Sequence, residues 1–83
     1  MKYNYVPEGV CSRLMTVEIE NDIIKSCSIV GGCHGNLQGI SRLVEGMEAE
    51  EAIEKLRGID CRGRGTSCPD QLANCIEEAL ESM

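Results

Sequence analysis

Hydrophobic and polar positions change period about a third of the way along this chain. From Arg13 to Glu20, Met15, Val17 and Ile19 alternate with Thr16, Glu18 and Glu20. A period of two predicts a strand with one buried face. Asn21-Asp22 tolerates the positive φ of a tight turn, and Ile23 to Val30 returns as a β-rich partner. Upstream, Tyr3, Tyr5 and Val6 predict a short extended piece that stops at Pro7-Glu8-Gly9. These segments predict a small, three-stranded antiparallel sheet.

The remainder has a helical period. Gly31-Gly32-Cys33-His34-Gly35-Asn36 reads as a loop ending in an N-cap at Asn36. Leu37, Ile40, Leu43 and Val44 then share a helical face, and Gly46 ends that helix. A second helix is predicted from about Glu48 to Arg57, with Ala49, Ala52, Ile53 and Leu56 inward and Gly58 as its stop. A loop from Ile59 to Thr66 follows. Ser67 is a good N-cap for the last helix, Pro69 suits its first turn and Asp70 suits the positive end of its dipole. Leu72, Ile76, Ala79, Leu80 and Met83 make its buried stripe. The predicted class is α+β: a three-stranded sheet followed by three helices, in one domain over residues 1–83.

Composition makes this core thin. The chain of 83 residues has no Trp and no Phe, and its two tyrosines are Tyr3 and Tyr5. Scaffolds below roughly 80 residues commonly add a metal, disulfides or self-association. Six cysteines are the material for such an addition. The N-terminal MKYNYVPEGV has no apolar run that would serve as a secretion signal, and no stretch approaches the length of a membrane helix. A reducing, cytoplasmic setting is therefore expected, and there clustered cysteines point to metal or redox chemistry. The net charge of -6 argues against nucleic acid as a direct ligand, since phosphate binding needs a basic surface and single strands need stacking aromatics.

Where the cysteines fall sorts them. Cys33 and Cys68 precede or open predicted helices, where unpaired N–H groups and the dipole stabilise a thiolate. Cys61 lies in a glycine-rich loop free to bend round an ion, and Cys11 stands where the Pro7-Glu8-Gly9 turn enters the sheet. Spacing alone leaves a four-cysteine site and scattered thiols both open, because the chain has no pair of CxxC knuckles. Cys27, mid-strand, and Cys75, beside the last helix's apolar stripe, read as core residues. His34 reads as a loop histidine, since adjacent residues seldom both reach one ion. Arg62 and Arg64 read as a solvated pair. The glutamates at 48, 50, 51, 54, 77, 78 and 81 read as solvated faces.

Thr66-Ser67-Cys68-Pro69-Asp70 spells the signature of the TSCPD-domain family, and the chain resembles that family along nearly its whole length. Cys11-Ser12-Arg13, Gly31 to Asn36, Leu43-Val44-Glu45-Gly46, Leu56 to Cys61 and Gln71-Leu72-Ala73 match its pattern in order. The cysteines inside these motifs are Cys11, Cys33, Cys61 and Cys68, and the resemblance favours them as ligands of one ion, with zinc expected. It also implies an accessory role towards a partner protein, a ribonucleotide reductase being the partner class in which the domain occurs. Catalysis by this chain alone is not expected, as it lacks the length for a radical barrel and nucleotide pocket.

A more distant similarity is to iron–sulfur cluster scaffold proteins, through Cys11, Gly32-Cys33 and the run from Cys68 to Leu72-Ala73. Arg13 stands where those scaffolds carry an aspartate, and Cys61 is an additional thiol. The resemblance implies a shared fold with a changed site. The alternative function is accordingly a thiol-redox or iron–sulfur carrier role, with Cys61 and Cys68 as an exchanging pair.

Overall fold

The computed structural model describes residues 1–10, 12–31, 34–60, 63 and 65–82, the side chain of His34 excepted. The chain is α+β. Strands β1 (Lys2–Tyr5), β2 (Ser12–Glu20) and β3 (Ile23–Gly31) precede helices α1 (His34–Val44), α2 (Ala49–Leu56) and α3 (Cys68–Glu81). The sheet is antiparallel in the order β1-β2-β3.

The β2–β3 turn forms where the sequence predicts it. Asn21 and Asp22 take φ values of 52° and 64°. Two consecutive positive φ angles match the right-handed twist of the flanking strands. The inward residues of β2, Met15, Val17 and Ile19, are buried with Ile24 of β3. Against them pack Val44, Ala49, Ala52, and Leu72, Cys75, Ile76 and Ala79 of α3.

Two bulges break the alternation. Lys25 is the extra residue between the Glu18–Ser26 and Ile19–Ile24 pairs, and Arg13 the extra residue between Ser12–Gly31 and Leu14–Val30. The second has a consequence for the site. In a regular strand Ser12 would share the solvent face of Leu14. The bulge turns it onto the helix-covered face, where it is buried like Met15.

The helices depart from expectation in two places. α1 begins at His34, so His34 is helical rather than in a loop, and Asn36 lies in the first turn instead of capping it. The first turn has no N–H bonded within the helix, so Gly35 and Asn36 cost less there than further in. Leu43, expected inward, is 76% exposed. At about 100° per residue it stands roughly 120° round the helix from Leu37, whereas Val44 stands about 20° away. Leu37 and Val44 are buried. The second helix matches its expected inward face, with Ala49 and Ala52 buried and Ile53 and Leu56 packed on the core. Met83, predicted to end the α3 stripe, lies outside the described residues.

Candidate metal centre

The start of α3 is built residue by residue from Thr66-Ser67-Cys68-Pro69-Asp70. Ser67 has an extended backbone (φ -154°, ψ 170°), and its hydroxyl accepts from the Asp70 N–H at 3.1 Å. This satisfies one of the four N–H groups that a helix start leaves free. Pro69, in the first turn, has no N–H to leave unpaired. The Asp70 carboxylate accepts from the Thr66 hydroxyl at 2.6 Å and from the Gly58 N–H at 2.8 Å. Those bonds, the Thr66 hydroxyl first, hold its carboxyl below the usual carboxylate range, with Arg57 a smaller contribution. Cys68 is thereby fixed as the first helical residue, half-buried.

Gln71 locks this turn to the N-terminal segment. Its amide N–H donates to Thr66 Oγ1 at 2.9 Å, while its Oε1 accepts from the Tyr5 hydroxyl at 3.0 Å and the Glu8 N–H at 3.1 Å. Pro7, in that N-terminal segment, is buried. Gly9 has a φ of 72°, and a Cβ there would lie 3.2 Å from the Thr66 methyl. Both the backbone angle and the close approach therefore favour glycine. Between α2 and α3, the Asp60 carboxylate accepts from the N–H groups of Gly63 and Gly65.

Of the four cysteines expected to meet, Cys68 is described; Cys11, Cys33 and Cys61 lie outside the described residues, as do Arg62 and Arg64. Cys68 Sγ lies 3.4 Å from Ser12 Oγ, a hydrogen bond in which either atom can donate. Ser12 directly follows position 11 and is paired with Gly31, two residues before position 33. Among the described residues no group of three or more His, Cys, Asp or Glu side chains could hold a metal ion.

The other two cysteines differ from Cys68. Cys75 is fully buried, and burial pushes its thiol up to about 12. Burial also raises the Cys27 thiol, offset in part by a hydrogen bond with Ser41. Neither is suited to thiolate chemistry at neutral pH. Sequence reasoning did not mark Ser12, Asp60, Thr66 or Gln71 as side chains that build this region. A thiol at a capped helix start beside a hydroxyl can ligate a cation, and the hydroxyl can orient or hydrogen-bond the sulfur.

Among the described residues no helix is long and apolar enough to cross a membrane. Comparison with curated proteins and with solved structures gave no match. The family model of the TSCPD domain matches residues 1–80, and the chain belongs to that family.

Proposed function

We propose that this protein is a small metal-binding module in which Cys11, Cys33, Cys61 and Cys68 hold one Zn²⁺. The observation that carries the reading is the contact between Cys68 and Ser12. It joins the start of α3 to the residue after Cys11, on a strand end paired to the residue two before Cys33. Asp60, the residue before Cys61, accepts from the N–H groups of Gly63 and Gly65 on the approach to the same helix start.

Four thiolates close a tetrahedral zinc sphere and leave no position for substrate, so the module acts through structure and recognition rather than hydrolysis. Metal binding of this kind contributes on the order of 10 kcal/mol to folding, which would offset a core without Trp or Phe. Its partner is another protein, with a ribonucleotide reductase as the class that the family resemblance suggests. The test is the metal content of tag-free protein purified anaerobically, for the parent and for Cys11→Ser, Cys33→Ser, Cys61→Ser and Cys68→Ser. One zinc per chain, lost or weakened in every variant, supports the site. Folded, metal-free parent protein overturns it, and a visible absorption band in place of zinc replaces it with an iron–sulfur centre.

A further inference from the structure

The sheet has two edges of unequal kind. β1 is four residues long, whereas β3 has nine. A cleft of about 310 Å³ is lined by Cys27, Ser28 and Ile29 of β3 and by Gln38, Ser41, Arg42 and Glu45 of α1. Consecutive strand residues point to opposite faces. A cleft touching three in a row therefore runs along the strand's edge, and the free edge is the one away from β2. The α1 residues are spaced as one helical stripe.

The chain already uses the closed end of this edge. The Ile24 N–H donates to the Met47 carbonyl at 2.9 Å, and the Gly46 N–H donates to the Ile24 carbonyl at 2.8 Å. Ile23 and Glu48 form an antiparallel bridge there. Beyond Ile24 this chain adds no further strand to that side among the described residues. The Lys25 bulge that guards an edge against pairing stands at the closed end and leaves Ser26 to Val30 regular.

We propose that the β3–α1 cleft is a docking groove for a short, extended, basic segment of a partner protein, which adds to β3 alongside Ser26–Val30. Backbone hydrogen bonds to the strand would supply affinity, and the helix stripe would choose side chains. Five residues of strand span about 17 Å. Two observations select the occupant. The chain carries a net charge of -6, and Glu45 and Glu48, both exposed, stand at the closed end of the groove. A cationic residue at that end of the segment is therefore favoured, with Arg42 one turn away opposing a second cation in the middle. A second copy of this chain fits worse. Antiparallel pairing of two β3 edges keeps both covered faces on one side of the sheet, so both α1 helices would be driven into the groove that α1 already lines.

The groove does not depend on the metal reading, and its test is separate. The probe is the peptide acetyl-Lys-Val-Thr-Val-Lys-amide, titrated into the full chain while backbone amide NMR shifts are followed. Its controls are the same peptide N-methylated at alternate amides and acetyl-Glu-Val-Thr-Val-Glu-amide. The expected result is saturable shifts centred on residues 26–30 and 38–45, abolished by N-methylation and weaker for the glutamate peptide. Gln38→Trp fills the groove and is expected to weaken binding about tenfold. Glu45→Lys changes no buried group and should narrow or reverse the preference for lysine. No saturable shift, shifts elsewhere, equal binding of the N-methylated peptide, or a free chain whose β3 amides change on dilution as a dimer dissociates would each overturn the proposal.

Discussion

α1 and α3 each begin at or beside a cysteine of the proposed metal site, α1 directly after residue 33 and α3 at Cys68 itself. They are fixed to the molecule very differently. α3 runs for 14 residues with a hydrogen-bonded serine cap, and it buries Gln71, Leu72, Ala73, Cys75, Ile76 and Ala79. It also reaches β1 through Tyr3, whose hydroxyl donates to Glu78 at 2.8 Å, and through Tyr5 and Gln71. α1 has 11 residues, two of them glycines, and buries Leu37, Ser41 and Val44. The Ser41 hydroxyl donates to the Leu37 carbonyl one turn back. The lesson is one of division of labour: α3 supplies much of the core and fixes the position of Cys68, while α1 buries fewer side chains and lies beside the β3 edge.

The difference should be plainest in core truncations. Ile76→Ala removes a fully buried side chain from the centre of the apolar cluster, and about 3–4 kcal/mol of stability should go with it in urea titrations. Leu37→Ala on α1 should cost about 2 kcal/mol, because Leu37 is buried but stands outside that cluster. Equal losses would erase the proposed division.

Alkaline pH tests the burial of α3. The Cys75 thiol ordinarily titrates at 9.0 and is raised to about 12 in the folded chain. Its contribution is therefore fully present below pH 9 and is lost as pH rises towards 12, because the unfolded chain releases the proton first. The expected slope is about 1.4 kcal/mol per pH unit within that window. Cys27, Tyr3 and Tyr5 are also raised and act in the same direction. Cys75→Ala should flatten the dependence measurably, and thiol-labelling of Cys75 should proceed only through unfolding. A Cys75 thiol that labels as fast as a free one would contradict its placement.

Next in size is the cap. Ser67→Ala removes the acceptor of the Asp70 N–H and should lower stability by about 1 kcal/mol. If Cys68 is a zinc ligand, the same variant should weaken metal affinity although no ligand has changed, because the helix start that aims the thiol is loosened. Ser12→Ala should do likewise through the sulfur it touches. Stability lost with metal affinity unchanged would detach the cap from the site.

The elements that were legible in the sequence are those decided within a few residues. The β2 alternation, the Asn21-Asp22 turn and the Ser67 cap each depend on neighbours in the chain, and each formed as expected. The Arg13 bulge was not legible. Nothing in Ser12-Arg13-Leu14 marks an extra residue, and only the pairing with Gly31 and Val30 reveals it. Leu43 failed for a different reason: α1 packs along one narrow side, so apolar type did not imply burial. Of the region around Cys68, the helix start and its serine cap could be read from sequence. Its wider support could not, because Gln71 meets Tyr5 and Glu8 across 66 and 63 positions. Such partners become visible only once the chain is folded.

The smallest prediction addresses α1 itself. Gly39 lies in the helix interior and is exposed, and a Cβ there would meet nothing within 4 Å. Its φ is not in the left-handed region that would require glycine, unlike that of Gly46 at 89°. Gly39→Ala therefore adds no clash and removes backbone freedom from the unfolded chain, so a gain of about 0.5–1 kcal/mol is expected in urea titrations. α3 offers no equivalent gain, since it contains no glycine. If Gly39→Ala instead destabilised the chain, the residue would have to give way to something against α1. With the helix's flank open in the free protein, that result would mean the surface is covered in solution.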